Sequence, residues 1–146
     1  MGIIRRWVGN ERGASAVEFA LLAPTLLVVA MGVIDLGLGM FHKMELAGAA
    51  RAGAQYAILK GYSSSTIQTV VQGSTNLTGI TVVSSRSCEC SNGSTPSGTA
   101  PSCTCSGSGV TVQKFISVTA SYSYTPIFAY FKPTYSLAET VTVREE

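Results

Sequence analysis

Apolar residues fill one long block near the start of the chain and give way to strict alternation towards its end. From Phe19 to Ile34 no residue is charged, and only Pro24 and Thr25 break the apolar run. Ala14 to Val17 and Leu36 to Phe41 extend it on either side, interrupted by Ser15, Glu18 and Asp35. A helix needs about 20 predominantly apolar residues to cross a bilayer. This block is long enough. It is also apolar all round instead of along one stripe, which separates it from the surface helix of a soluble domain. From Met44 to Leu59 the string becomes MELAGAARAGAQYAIL, rich in Ala and free of Pro, with Gly61 placed to stop a helix. Ala49, Gly53 and Ala57 recur every four residues, a small stripe on which another backbone can come close. The stripe suits packing on the protein's own sheet better than packing against a second stem helix. A continuous helix over residues 14–60 would measure about 70 Å, too long for a bilayer alone, so part of it projects as a stem.

Beyond Gly61 lie nearly all the Ser and Thr of the chain. Phe115, Ser117, Thr119, Ser121 and Ser123 alternate with Ile116, Val118, Ala120, Tyr122 and Tyr124, the period of a strand with one buried face. Thr81 to Ser84, Val110 to Val112 and Ser136 to Val143 also read as strands. Thr66 to Gln72 reads as a short helix with Ile67, Val70 and Val71 on one face. Pro126 and Pro133 bracket an aromatic loop from Ile127 to Lys132. No internal repeat is present. The expected fold is α+β: a long N-terminal transmembrane and stem helix packed on a small antiparallel sheet, as in pilins. It divides into a basic leader (1–13), the helix (14–60) and a Ser/Thr-rich head (62–146).

Composition and charge sharpen this division. Only 12% of residues are charged, against roughly 25% in an ordinary soluble domain. The net charge is +2, with no basic patch of the kind a nucleic-acid-binding domain carries. Arg5, Arg6 and Arg12, set against Glu11, account for that whole excess. Lys43 and Glu45 follow the apolar block and cancel each other. The positive-inside rule therefore puts the leader in the cytoplasm and the head outside. A secretory signal cut after Ala49 is a rival reading. The apolar run is too long for it, and Asp35, Lys43 and Glu45 separate the run from the cut.

The head is small for a self-sufficient core and calls for staples. Cys88-Glu89-Cys90 and Cys103-Thr104-Cys105 flank the turn-forming string SNGSTPSGTAPS. In an antiparallel hairpin paired residue numbers add to a constant, and Cys88–Cys105 with Cys90–Cys103 share one register. Residues two apart also face the same side, so two stacked rungs are expected in that pairing. Cys88–Cys103 with Cys90–Cys105, and local pairing, stay open, because four cysteines allow three connectivities. Zinc is the competing use, but Cys-x-Cys twice is not the usual Cys-x2-Cys spacing. An outside location favours disulfides. For catalysis there is little to build on. The one histidine, His42, sits at the membrane edge of the stem, and no phosphate loop, paired catalytic carboxylates or ligand histidines accompany it. The expectation is no enzyme, no cofactor and no metal.

Acidic residues inside a membrane segment are costly and point to function. Glu18 stands in Arg12-Gly13-Ala14-Ser15-Ala16-Val17-Glu18-Phe19. This string resembles the processing site of type IV pilins and pseudopilins: a short basic leader, a Gly before the cut, a Glu at the fifth mature position and an aromatic at the sixth. More widely, RGASAVEFALLAPTLL and GVIDLGLGMFHKMELAGAARAGAQYAI resemble the N-terminal region of TadE-like proteins, pseudopilins of the tight-adherence (Flp, type IVc pilus) apparatus. Pro24, Asp35 and the Ala-Ala-Arg-x-Gly-Ala at 49–54 fit as well, whereas Gln55 departs from the family's usual Arg. The resemblance implies a single-pass protein of the bacterial inner membrane with a periplasmic or extracellular head. It implies cleavage between Gly13 and Ala14 by a prepilin peptidase, and assembly with other pilins and pseudopilins. Glu18 would then pair with the new amine of Ala14 on a neighbouring subunit. Pro24 lacks an amide hydrogen and should loosen the helix near Ala20, easing it out of the bilayer. Asp35 lies roughly 25 Å beyond Glu18, at the outer interface, as an assembly contact or a hydrated acid. A different reading is a membrane-anchored adhesin or ligand-binding module that displays the disulfide-stapled loop.

Overall fold

The computed structural model describes residues 14–128 and 134–145, without the side chain of Ala14. Two helices precede three strands: α1 (Ala14–Lys60), α2 (Ser64–Gly73), β1 (Thr81–Cys90), β2 (Val112–Tyr124) and β3 (Tyr135–Glu145). The arrangement is α+β, as expected. The chain forms two compact units, one up to Leu38 and one from Gly39 onwards.

The first unit is apolar helix with its side chains turned outward. Phe19 is 68% exposed, and Leu21, Leu27, Val33 and Leu36 are exposed with it. Each such side chain left in water forfeits about 1.5–3 kcal/mol. Together the exposed large side chains from Val17 to Leu36 outweigh the ~5–15 kcal/mol that holds a whole domain folded. A helix of this kind belongs in an apolar solvent. It continues through Pro24, so the missing amide does not end it.

The second unit is built around the last turns of α1. Leu46, Ala49, Ala50, Ala54 and Ala57 are buried against Ile67 and Val71 of α2, Ile80, and Ile116, Val118 and Ala120 of β2. The small stripe therefore packs on the protein's own sheet. At Gly53 the approach is closest: an added methyl would overlap Val71 Cγ2 and stand 3.5 Å from Val118 Cγ1. Gly61, at φ +87°, ends the helix in the left-handed conformation that a helix C-terminus favours.

The sheet is antiparallel in the order β1-β2-β3. Ile116, Val118, Ala120 and Tyr122 face the helices, as the alternation requires. On the opposite face, Ser117 and Thr142 hydroxyls pair at 2.9 Å and those of Thr119 and Thr140 at 2.8 Å. The short helix is longer than its sequence pattern suggests but buries the expected Ile67 and Val71. Of the expected strand Val110 to Val112, only Val112 belongs to β2. In the aromatic loop, Pro126 is buried and Ile127 and Phe128 form a turn, while 129–133 lie outside the described residues.

The cysteine pairing differs from the hairpin expectation. The bridges are Cys88–Cys103 and Cys90–Cys105, with Cα atoms 6.4 and 5.8 Å apart. The reason is register. β1 runs on past Ser84 to Cys90, and its antiparallel neighbour there is β2, with Cys88 opposite Lys114 and Cys90 opposite Val112. The hydrogen-bonding edge of β1 that a Cys88–Cys105 hairpin would use is thus taken by β2. Residues 91–111 leave the sheet and return, closed by Ser91 N donating to Thr111 O (3.0 Å). Within them Ser97 and Thr104 exchange two backbone hydrogen bonds. The limb bearing Cys103 and Cys105 meets β1 with one constant offset of 15 residues, which means the two segments run in the same sense. The two rungs still share one face, because Cys88 and Cys90 alternate with the exposed Glu89.

Two measurements check this packing. Gly53→Ala should destabilise the protein by about 1–3 kcal/mol through overpacking, although Ala is the better helix former by about 1 kcal/mol. Gly48→Ala, with nothing within 4 Å of the new methyl, should be neutral or stabilising by up to about 1 kcal/mol. Denaturant unfolding of the full chain in micelles, followed by circular dichroism, compares them. For the bridges, replacing Cys88 and Cys103 together by Ser should leave no free thiol in the oxidised, denatured protein. Replacing Cys88 and Cys105 together should strand two thiols that titrate, and the opposite pattern would restore the hairpin pairing.

Candidate functional site

Gly13, the residue before the expected cut, lies outside the described residues. Ala14 is the first described residue and lies in α1. Glu18 and Phe19 follow within the first turns and both are exposed. Pro24 is also exposed, whereas Asp35 is half-buried. Ala14, Glu18, Phe19, Pro24 and Asp35 lie on one helix within the first unit, spread round a rod instead of gathered in a cleft. Glu18 is separated from Asp35 by nearly five helical turns at 3.6 residues per turn. The two acids cannot act as one pair within a chain.

The head holds the polar contacts that the sequence pattern did not reveal. Lys43 Nζ of α1 reaches Glu139 Oε1 of β3 at 3.1 Å. Glu45, on the same turn of the helix, accepts from Thr75 Oγ1 at 2.7 Å and from the backbone N–H of Asn76 at 2.8 Å. These two hydrogen bonds, with a smaller contribution from His42, hold its carboxyl below the usual carboxylate range. Arg86 donates from Nη2 to Glu145 Oε1 at 2.7 Å and lies 4.6 Å over the ring of Tyr62, whose hydroxyl donates to Ser84 O at 3.0 Å. Arg86 and Glu145 both face the helix side of the sheet, on opposite edge strands. The only sequence signal for this pair is a charge at an inward position of each strand. Such a charge demands a partner.

His42 packs its ring 5.7 Å from Tyr122 and 5.3 Å from Tyr124, with Phe41 at its edge at 6.0 Å. It is an aromatic-cluster residue, and its Nδ1 is buried without a hydrogen-bond partner. Among the described residues no group of three or more His, Cys, Asp or Glu side chains could hold a metal ion. Cys88, Cys90, Cys103 and Cys105 are all committed to disulfides. The arrangement offers an apolar rod that carries an exposed acid, Glu18, and a braced head.

A family model described as TadE-like protein matches residues 13–55. No curated protein and no solved structure gives a significant match. The matched stretch takes in Gly13, Ala14, Glu18, Phe19, Pro24 and Asp35, and it runs through the small stripe to Gln55. It stops before α2 and the sheet. Over residues 13–55, which run into the close-packed turns of α1, the chain is TadE-like.

Proposed function

We propose that this protein is a structural, non-enzymatic component of a tight-adherence (type IVc) pilus apparatus, a pseudopilin held in the inner membrane by α1. It is inserted with residues 1–13 inside and the head outside, and a prepilin peptidase cuts it between Gly13 and Ala14. Mature Ala14 then carries a free amine one helical turn from Glu18, and Glu18 of one subunit pairs with the amine of a neighbour during assembly. The observation that carries the reading is that the TadE-like segment falls on the helix whose apolar side chains stand exposed from Val17 to Leu36. The disulfides agree with an oxidising compartment for the head. Pro24 and Asp35 are assigned to assembly on the same rod.

The first residue of the mature protein tests the reading. N-terminal sequencing from membranes is expected to give Ala14. Met1 would make the protein a plain anchor, and Ala50 a secreted domain. Glu18→Ala is expected to leave membrane insertion and cleavage in place but to abolish assembly, read as loss of surface pili. Normal piliation in that variant overturns the role given to Glu18.

A further inference from the structure

We propose that Asn92, in the turn where β1 gives way to the stapled loop, is a self-modifying site. Its carboxamide is converted to a carboxylate by attack of the Gly93 backbone nitrogen, and the Ser94 hydroxyl activates the carbonyl that is attacked.

The chain turns sharply after Cys90. Gly93 N–H donates to Cys90 O at 2.9 Å, and Ser91 N–H donates to Thr111 O at 3.0 Å. The Asn92 side chain folds back over this turn. Its Oδ1 accepts from the Ser94 N–H at 3.1 Å and from Ser94 Oγ at 2.7 Å. Asn92, Gly93 and Ser94 are all exposed, so water reaches the group. Two donors on one carbonyl oxygen draw electron density from Cγ, and they are already placed to stabilise the oxyanion that forms when Cγ is attacked. The nitrogen that the chain itself offers to Cγ is that of Gly93. No side chain shields it, and a methyl built on Gly93 would meet nothing within 4 Å. Its N–H must first leave Cys90 O, and a lone hydrogen bond at an exposed turn is among the first to open.

The Gly93 nitrogen then gives its proton to hydroxide and forms a bond to Cγ of Asn92. The Cγ–Nδ2 bond breaks, and Nδ2 takes a proton from water and leaves as ammonia. Water opens the resulting succinimide at either carbonyl. One product is aspartate, and the other is isoaspartate, in which the backbone runs through the former side chain. Water is the only co-reactant, and nothing is oxidised or reduced. Residues 91–111 carry no charged side chain, so the conversion puts the first charge on the stapled loop. Asn76 is a natural control within the same head. It is exposed too, but its neighbour Leu77 carries a bulky, half-buried side chain, and the Leu77 N–H is held by Thr75 Oγ1 at 3.0 Å.

Peptide mapping by mass spectrometry follows the conversion in the purified full chain, kept in micelles in mildly alkaline buffer. Methyl transfer by an isoaspartyl methyltransferase labels the isoaspartate product independently. Asn92 is expected to convert while Asn76 remains a carboxamide. Ser94→Ala is expected to slow the conversion at least about threefold, as the loss of an oxyanion donor should. Ser94→Thr keeps the hydroxyl and is expected to restore most of the rate. In the reduced, urea-unfolded chain the turn is gone, and Ser94→Ala is expected to convert as fast as the unaltered sequence. An Asn92 that stays intact in the folded protein overturns the site. A folded Ser94→Ala protein that converts as fast as the unaltered one overturns the role of Ser94. Ser94 is exposed, so both replacements are expected to leave the circular dichroism spectrum unchanged, and that spectrum is recorded for each.

Discussion

The head depends on how closely α1 and α2 approach each other. Gly53 leaves room for Val71 of α2, with which any side chain would collide, while Val118 of β2 stands at ordinary contact distance. Ala49, Ala50, Ala54 and Ala57 continue that narrow surface along the helix. Because α1 contributes almost no side-chain volume here, modest residues close the core. Ile67, Val71, Ile116 and Val118, with Leu46, are the largest side chains fully buried. A helix with a leucine at position 53 would have to stand off from α2. The opposite face of the sheet is left without a cover. It is lined by hydroxyls that bond across the strands, Ser117 to Thr142 and Thr119 to Thr140, which suits exposure to water without charge.

Two ion pairs brace the head across its elements. Lys43–Glu139 ties the helix to β3, and Arg86–Glu145 ties β1 to β3 across the middle strand. An exposed pair contributes about 0–1 kcal/mol, while breaking a buried one costs about 3–5 kcal/mol. Arg86 and Glu145 are only about a quarter exposed, so this pair lies between those limits. Its stronger effect is on register. A slip of one residue would turn Arg86 from the helix side to the outer face and separate it from both Glu145 and the Tyr62 ring. The two disulfides act on the same strand end. They close 15-residue spans, and each contributes about 3 kcal/mol by the loop-entropy argument.

What the sequence made legible follows from period and volume. The apolar rod, the small stripe, the stop at Gly61 and the alternation from Phe115 to Tyr124 each record a constraint that one segment obeys alone. Contacts between segments were harder to read. Arg86, Glu145, Lys43 and Glu139 lie far apart in the chain, and nothing local marks them as partners. The cysteine pairing was misjudged for the same reason. The spacing of Cys88, Cys90, Cys103 and Cys105 satisfies a hairpin, but the hairpin's place is occupied by β2, whose register is set by its own apolar alternation. A motif that is consistent with itself gave way to a longer strand with more to bury.

The same contrast explains where the family resemblance stops. Residues 13–55 have demands imposed from outside the chain's own fold or by extreme proximity: an apolar solvent for the rod, and no room for a side chain at Gly53. Few residue types meet such demands, so they leave a dense signature in sequence. The sheet must only alternate, pair and keep its charges matched, and many sequences do that. A helix that passes from one compact unit into the next must therefore be written in two compositions, large aliphatics up to Leu38 and small residues after it. The scarcity of charge is the trace of the first, and the buried alanines are the trace of the second.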